Sequence, residues 1–503
     1  MSNVCRVHAV ALVGFDGHLV EVESDLTKGL PGLQVVGLAS KSIDEAKERV
    51  KSALTNSLLE YPAKRMTINL APAELPKDGT LYDLPMALAI LGSSGQLQQH
   101  ELSDAVFAGE LALDGRIRPI QGAIAIAECA RTHKISTVYL PKANATQATL
   151  VDGVTIIPVD SLKDLFLHLK KEKRIEPAQP VTLTRTSTDD GALLDEIYGQ
   201  EQAKRALIIA AAGHHNILMS GPPGAGKTMM AKTLSQLLSP LSRSECLEVT
   251  KVHSLAGVTI DRVVADRPFR APHHTASQVS LIGGGTRPKP GEISLAHRGV
   301  LFLDEMPEYS RSALEALRQP LEDRIISVTR ANGHVEYPAD FMLVGTMNPC
   351  PCGYYGDPTK ECTCPTTQVI SYQKKISGPL LDRIDIFITV AKVASADLLQ
   401  NKSLQSTQHK NAIALIEKAQ YAQINRYKSS TKNNSNLSSS QVKRLVPLSP
   451  GVKNFLDSAA DRLGLSARSY FKVIKVARTI ADLEGADSIE VPHLAEALQY
   501  RQS

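Results

Sequence analysis

Hydrophobic spacing divides the chain into stretches of different kinds. HAVALVG (8–14) and HLVEVESDL (18–26) alternate with polar residues and predict a hairpin turning at Phe15-Asp16-Gly17. SIDEAKERVKSALTNSLL (42–59) has apolar positions at helical spacing. GELALDGRIRPIQG (109–122) predicts a second hairpin with Asp114-Gly115 at its turn. The segment 169–194 shifts to charge, Pro and Thr and marks a linker. Beyond it, the apolar run 217–219 enters a Gly-rich loop followed by MMAKTLSQLL (229–238), which is strand, loop and helix. GVLFLDE (299–305) and DFMLVGTMNP (340–349) are near-continuous apolar runs, the pattern of buried parallel strands. AIALIEKAQYAQINRY (412–427) and LSARSYFKVIKVARTIADLEG (465–485) are helical, the second ended by Gly485. Between them, KSSTKNNSNLSSSQ (428–441) has one apolar residue in fourteen and predicts a mobile loop. The pattern predicts an α/β unit at 1–168, a linker at 169–194, a second α/β unit at 195–390 and a helical unit at 391–503.

The chain has 503 residues, too many for one core. Apolar residues at 43% and charged residues at 21% are the balance of a soluble globular protein. A net charge of +4 names no partner, so any nucleic-acid surface must be local. No uncharged apolar run approaches the roughly 20 residues of a membrane span. The N-terminus lacks a cleavage signal and reads as a cytoplasmic strand. Seven cysteines beside a nucleotide motif argue for reduced thiols or metal.

The most specific chemistry lies in GPPGAGKT, residues Gly221, Pro222, Pro223, Gly224, Ala225, Gly226, Lys227 and Thr228. It fits G-x-x-x-x-G-K-S/T, a loop whose backbone N–H groups and following helix N-terminus cradle polyphosphate. Lys227 is placed to reach the β/γ-phosphates and Thr228 to hold Mg²⁺. Asp304 and Glu305 end an apolar strand, where ligands bind in open α/β sheets. Asp304 is expected to hold Mg²⁺ through water, and Glu305 to polarise the attacking water as general base.

This pairing resembles AAA+ ATPases. The resemblance implies that Ile197, Tyr198 and Gly199 pack against adenine and that Asn348 positions the attacking water. It makes Arg383 an arginine finger reaching a neighbouring subunit's γ-phosphate, with an ion pair to Asp382 or Asp385 as the plainer reading. S-A-R (466–468) resembles the sensor 2 start of chelatase-type lids, which implies that Arg468 contacts the γ-phosphate, with Arg478 as second choice.

Two insertions interrupt this unit. Residues 266–298 hold Arg267, Arg270, His273, His274, Arg287 and Lys289; residues 324–341 place Arg330 and His334 beside the Asn332-Gly333 turn. They resemble the helix-2 and pre-sensor-1 insertions of the AAA+ clade with MCM helicases, RuvB and magnesium chelatases. Basic tips there would grip phosphates of a threaded strand, or else form solvated hairpins. Cys350, Cys352, Cys362 and Cys364 place four thiols in fifteen residues, matching Zn–S₄; unligated thiols are the alternative.

In the first unit, PKDG (76–79) and GELALDGRIRPIQG resemble the two active-site stretches of the Lon proteolytic domain. Leu81 occupies the position of the nucleophilic Ser, and Ile124 that of the activating Lys. Neither can do the chemistry, which implies a Lon-like fold without peptidase activity.

Together with RPFRAPHHTAS and VARTIADLEG, these stretches resemble the magnesium-chelatase-like YifB/ComM family across nearly the whole chain. The resemblance implies a Lon-like domain, a P-loop AAA+ core and a helical lid. It further implies a homohexameric, ATP- and Mg²⁺-dependent DNA helicase, assembled with nucleotide and DNA. Such a helicase would promote branch migration on single-stranded and branched DNA with recombination proteins during natural competence. A chelatase-type motor for metal insertion is the alternative.

Overall fold

The computed structural model describes residues 4–37, 41–183, 194–285, 289–330, 333–357, 360–392 and 407–502. Its first sheet has seven strands in the order Gly32–Val36, Arg65–Ala71, Asp16–Thr27, Cys5–Val13, Ala105–Phe107, Thr137–Pro141, Thr155–Val159. The Cys5–Val13 and Asp16–Thr27 pair is antiparallel, and Val13 faces Asp16. The turn is therefore Gly14-Phe15, one residue earlier than expected. Gly14 supplies the positive φ of +62° that a tight turn needs, which frees Asp16 to begin the next strand. Helices Lys41–Asn56, Asp83–Ser93 and Ala123–Thr132 complete this unit. Leu81 and Ile124 are buried in its single apolar core.

The second sheet is five parallel strands in the order Phe269–Arg270, Val300–Leu303, Met342–Met347, Ile217–Ser220, Ile386–Thr389. Val300–Leu303 is buried at every position, as the unbroken apolar run requires. The helical unit contributes Gln408–Tyr427, Pro450–Leu463, Ala467–Glu484 and Val491–Gln499, and shares one core with this sheet.

The segment 428–441 is not the mobile loop that its composition predicts. Asn434 is fully buried and bonds Tyr427, Gln423, Thr479 and Asp482. Saturated side-chain hydrogen bonding holds the segment where apolar burial does not.

Helix Arg243–Ala256 is the seam between the two α/β units. On one face Lys251 reaches Glu128 at 2.6 Å and Asp16 at 3.4 Å, with its ammonium 4.0 Å from the Phe15 ring centroid. Ser254 accepts from the Gly122 N–H at 3.2 Å. On the other face Glu248 accepts from His297 and Arg298. The tip of the first hairpin also packs on the second insertion, with Gly14 directly against Val335.

Candidate nucleotide site and cysteine cluster

The loop 221–226 joins strand Ile217–Ser220 to helix Lys227–Leu237. Gly224 and Gly226 take φ of +77° and +84°, which turn the chain onto the helix N-terminus. Gly221 packs so tightly on the Val390 carbonyl that no side chain fits there. The sheet's C-terminal edge then gathers the expected polar groups. Lys227 Nζ donates to the carbonyls of Gly221 at 2.5 Å and Pro222 at 3.0 Å, and to Asn348 Oδ1 at 3.0 Å. Thr228 Oγ1 donates to Asp304 Oδ2 at 3.3 Å. Burial holds the Lys227 ammonium below its usual pKa, opposed by Asp304 and Glu305.

Thr346 belongs to this cluster and escaped the sequence reading. Its hydroxyl donates to Asp304 Oδ1 at 2.5 Å and accepts from the Glu305 N–H at 3.0 Å. Glu305 itself adopts a left-handed backbone, φ +48°. The available signal was a hydroxyl two residues before Asn348 in an otherwise apolar strand. Of the residues expected to flank adenine, Ile197 is buried, Tyr198 is exposed, and Gly199 has φ +59°. Ala225 is buried within the loop.

Arg383 and Arg468 are not part of this cluster. Asn216, which precedes strand Ile217–Ser220, donates to the Arg383 carbonyl at 2.9 Å. Arg383 is thus at the N-terminal edge of the sheet, about 13 Å of strand from the P-loop. Its guanidinium pairs with Glu322, not with Asp382 or Asp385. Arg468 reaches the same Glu322 at 3.1 Å. No sequence signal pointed to Glu322. Arg478 is excluded as a γ-phosphate contact, since it is buried and held by Asp482 at 2.9 Å.

The first insertion is partly structural. Arg267 is no DNA contact: its guanidinium is buried and donates to the carbonyls of Ser239 and Arg298 at 2.6 Å each. Arg270 forms a two-bond pair with Glu292 at 2.7 and 2.8 Å. His273 is exposed, with its ring centroid 4.1 Å from that of His274. Lys289 is exposed beside the Gly283–Gly284 and Lys289–Pro290 strand pair, and Arg287 lies outside the described residues. In the second insertion Ile325–Arg330 pairs with Gly333–Pro338 in an antiparallel ladder that sets Arg330 opposite Gly333. The side chains of Arg330 and His334 lie outside the described residues.

Cys350, Cys352, Cys362 and Cys364 have their sulfurs within 4.8 Å of one another. Three of these pairs stand at 3.3, 3.6 and 3.6 Å. Zn–S bonds of about 2.3 Å place tetrahedral thiolates about 3.8 Å apart, so the sulfurs fit one zinc ion. The cluster touches the nucleotide loop. Gly353, at φ +87°, lies so close to Pro223 that a Cβ would stand 2.5 Å from the proline ring. Among the described residues no helix is long and apolar enough to cross a membrane.

A family model described as magnesium chelatase, subunit ChlI, matches residues 193–398. Models for subunit ChlI of Mg-chelatase and for the ChlI C-terminal region match 22–144 and 406–501. Competence protein ComM of Haemophilus influenzae is 43% identical over 99% of this chain and 97% of its own length. YifB of Salmonella typhimurium is 41% identical over 99% and 97%. Lon protease 2 of Bacillus subtilis is 29% identical over 179 residues, 31% of this chain and 32% of its own. On the full-length likeness and the three chelatase-type matches, the chain belongs to the magnesium-chelatase-like YifB/ComM family of AAA+ ATPases.

Proposed function

We propose that this chain is the subunit of a ring-shaped ATPase, a homohexameric DNA helicase that drives branch migration when transforming single strands recombine. The observation that carries this reading is the split of the site between two edges of one sheet. Lys227, Thr228, Asp304, Glu305 and Asn348 converge at one edge, while Arg383 and Arg468 share Glu322 at the other. That separation supports a reading in which the two arginines serve the γ-phosphate of a neighbouring subunit.

ATP supplies phosphates that take over the Lys227 hydrogen bonds, and Mg²⁺ would be held by Thr228 and Asp304. Glu305 orients and deprotonates the attacking water beside Asn348. Ile197, Tyr198 and Gly199 would flank adenine. Transition-state charge is met by Arg383 and Arg468 of the adjacent copy, released from Glu322. Each turnover would shift the two insertions, with His273, His274, Lys289, Arg330 and His334 gripping DNA phosphates. The cysteine cluster binds zinc and braces Pro223. The 43% identity to a competence protein over almost its full length supports transforming DNA as the setting.

A chelatase motor is the second reading, favoured by the descriptions of the matching family models. Against it, a magnesium-chelatase 67 kDa subunit of Heliobacterium mobile is matched over only 29% of its length. Mixing tests the proposal. Lys227→Ala and Arg383→Ala chains, each inactive alone, should recover DNA-stimulated ATP turnover when combined. Full turnover by an isolated monomer, indifferent to forked DNA, would exclude it.

A further inference from the structure

A cavity of about 200 Å³ lies between the parallel sheet and the helical unit, at the edge opposite the P-loop. Arg267, Arg298 and Arg324 line it from the core. Lys472 and Lys475, one turn apart on helix Ala467–Glu484, line it from the helical unit, and Arg383 and Arg468 complete the wall. Seven cations and four carboxylates, Glu245, Asp340, Asp382 and Asp385, line the wall, and from just outside it Glu248 pairs with Arg298 and Glu322 with Arg383 and Arg468.

Three of those carboxylates are already engaged. Asp340 is shared by Arg298 at 2.9 Å and Arg324 at 3.3 Å. Glu245 lies 3.6 Å from Arg267, and Asp385 accepts from His215 and the Asn216 N–H. The two lysines are left with carbonyls: Lys472 donates to Ile384 at 2.8 Å and Lys475 to Ser435 at 3.0 Å. Burial holds both ammonium groups below their usual pKa, opposed by the charge of Asp385 on both and of Asp382 on Lys472. The surplus field is felt at His214, whose imidazole is pushed down to about 3 by burial and by repulsion from Arg267 and Arg298. Arg383 adds a buried Nε without an acceptor. Asn433, Ser435, Asn436 and Ser439 bring amide and hydroxyl groups to the same wall.

Buried ammonium groups bonded only to carbonyls, as Lys472 and Lys475 are, are costly, and charge-assisted hydrogen bonds to an oxyanion repay that cost. We propose that this cavity is a binding site for a small phosphate-class oxyanion, inorganic phosphate or pyrophosphate, separate from the nucleotide site. At roughly 30 Å³ per water, the volume accommodates either ion. Bound between core arginines and lid lysines, the anion ties the helical unit to the sheet. It therefore fixes the end of helix Ala467–Glu484 that carries Arg468. This inference does not depend on DNA translocation.

Calorimetric titration of phosphate and of pyrophosphate into the full chain carrying Lys227→Ala tests it. One saturable site per chain is expected, with a parallel rise in Tm. Lys475→Gln should weaken binding about tenfold, and Lys475→Arg should restore it. Arg324→Gln and Lys472→Gln serve as second probes, each checked for an unchanged far-UV spectrum. Absence of saturation would overturn the site. So would binding unaltered by the charge-removing variants, because the ion would then sit on the P-loop. ATP turnover is not read, so failure here leaves the translocase reading standing.

Discussion

The two α/β units of this chain treat the same kind of position in opposite ways. In the N-terminal unit, Leu81 and Ile124, which the resemblance to Lon set at the places of nucleophile and base, have joined the apolar core. The polar groups that remain are tied up locally. Asp83 is fully buried against Arg49 at 2.8 Å, and Lys77 is buried on the Pro72 carbonyl. In the nucleotide unit, Lys227, Thr228, Asp304 and Asn348 bond mainly to one another at the ends of apolar strands. A phosphate or metal can replace such bonds; it cannot replace packed methyl groups. A fold keeps its scaffold through burial and keeps its chemistry only where polar groups stay exchangeable.

The largest effect should come from the exchangeable side of this contrast. Lys227→Ala is expected to reduce ATP turnover by roughly 10²–10³, about 3–4 kcal/mol of barrier, by removing both a phosphate contact and charge. Glu305→Gln should keep ATP binding while abolishing turnover, read as nucleotide retained on the protein after gel filtration. Turnover by Lys227→Ala within a factor of three of the parent would break the comparison, since the cluster would not be the reacting site.

The packed side should answer in stability alone. Ile124 is completely buried, and Ile124→Ala is expected to cost about 3 kcal/mol of unfolding free energy. ATP turnover per folded chain should not change. Urea denaturation alongside ATPase rates separates the two. A turnover loss in folded Ile124→Ala protein would mean that the first unit contributes to hydrolysis through the seam.

The nucleotide unit was legible because its signals are local. GPPGAGKT, the run into Asp304-Glu305 and the four cysteines each occupy one short stretch, so spacing alone brought out the residues. The Asn332-Gly333 hairpin was legible for the same reason, and its ladder runs from Ile325 opposite Pro338 to Arg330 opposite Gly333. What spacing cannot show is which distant groups meet. Glu322 joining Arg383 and Arg468 spans 146 residues to the latter. Arg267 looked like a basic tip until tertiary packing enclosed it. Segment 428–441 was misread because composition counts apolar residues and not satisfied hydrogen bonds.

The cysteine cluster sharpens the contrast at intermediate size, because it is a rigid element set against the exchangeable one. Removing metal by chelation, or Cys352→Ser, should release Gly353 from Pro223 and weaken ATP binding about tenfold, near 1.4 kcal/mol. Metal content by mass spectrometry and ATP affinity by fluorescence titration check this. One zinc per chain is expected. Full ATP affinity in the metal-free protein would confine the cluster to local folding.

The smallest effect belongs to the seam itself. Glu248 sits on helix Arg243–Ala256 and receives His297 at 3.1 Å and Arg298 at 3.0 Å. The His297 hydrogen bond first, and then the Arg298 charge, hold its carboxyl down at about 2, against the opposing cost of burial. A carboxylate lowered in the folded state stabilises at pH above its unfolded pKa. That stability is lost as pH falls from the ordinary carboxylate range, about 4.5, toward 2. Because Glu248 is partly exposed, screening reduces its contribution at neutral pH to about 1 kcal/mol. Glu248→Gln should therefore lie about that much below the parent at pH 7, and the gap should narrow steadily below pH 4.5 in urea titrations. A gap of constant size down to pH 3 would mean that the side chain's packing, and not its charge, joins the helix to the strand that leads into Asp304.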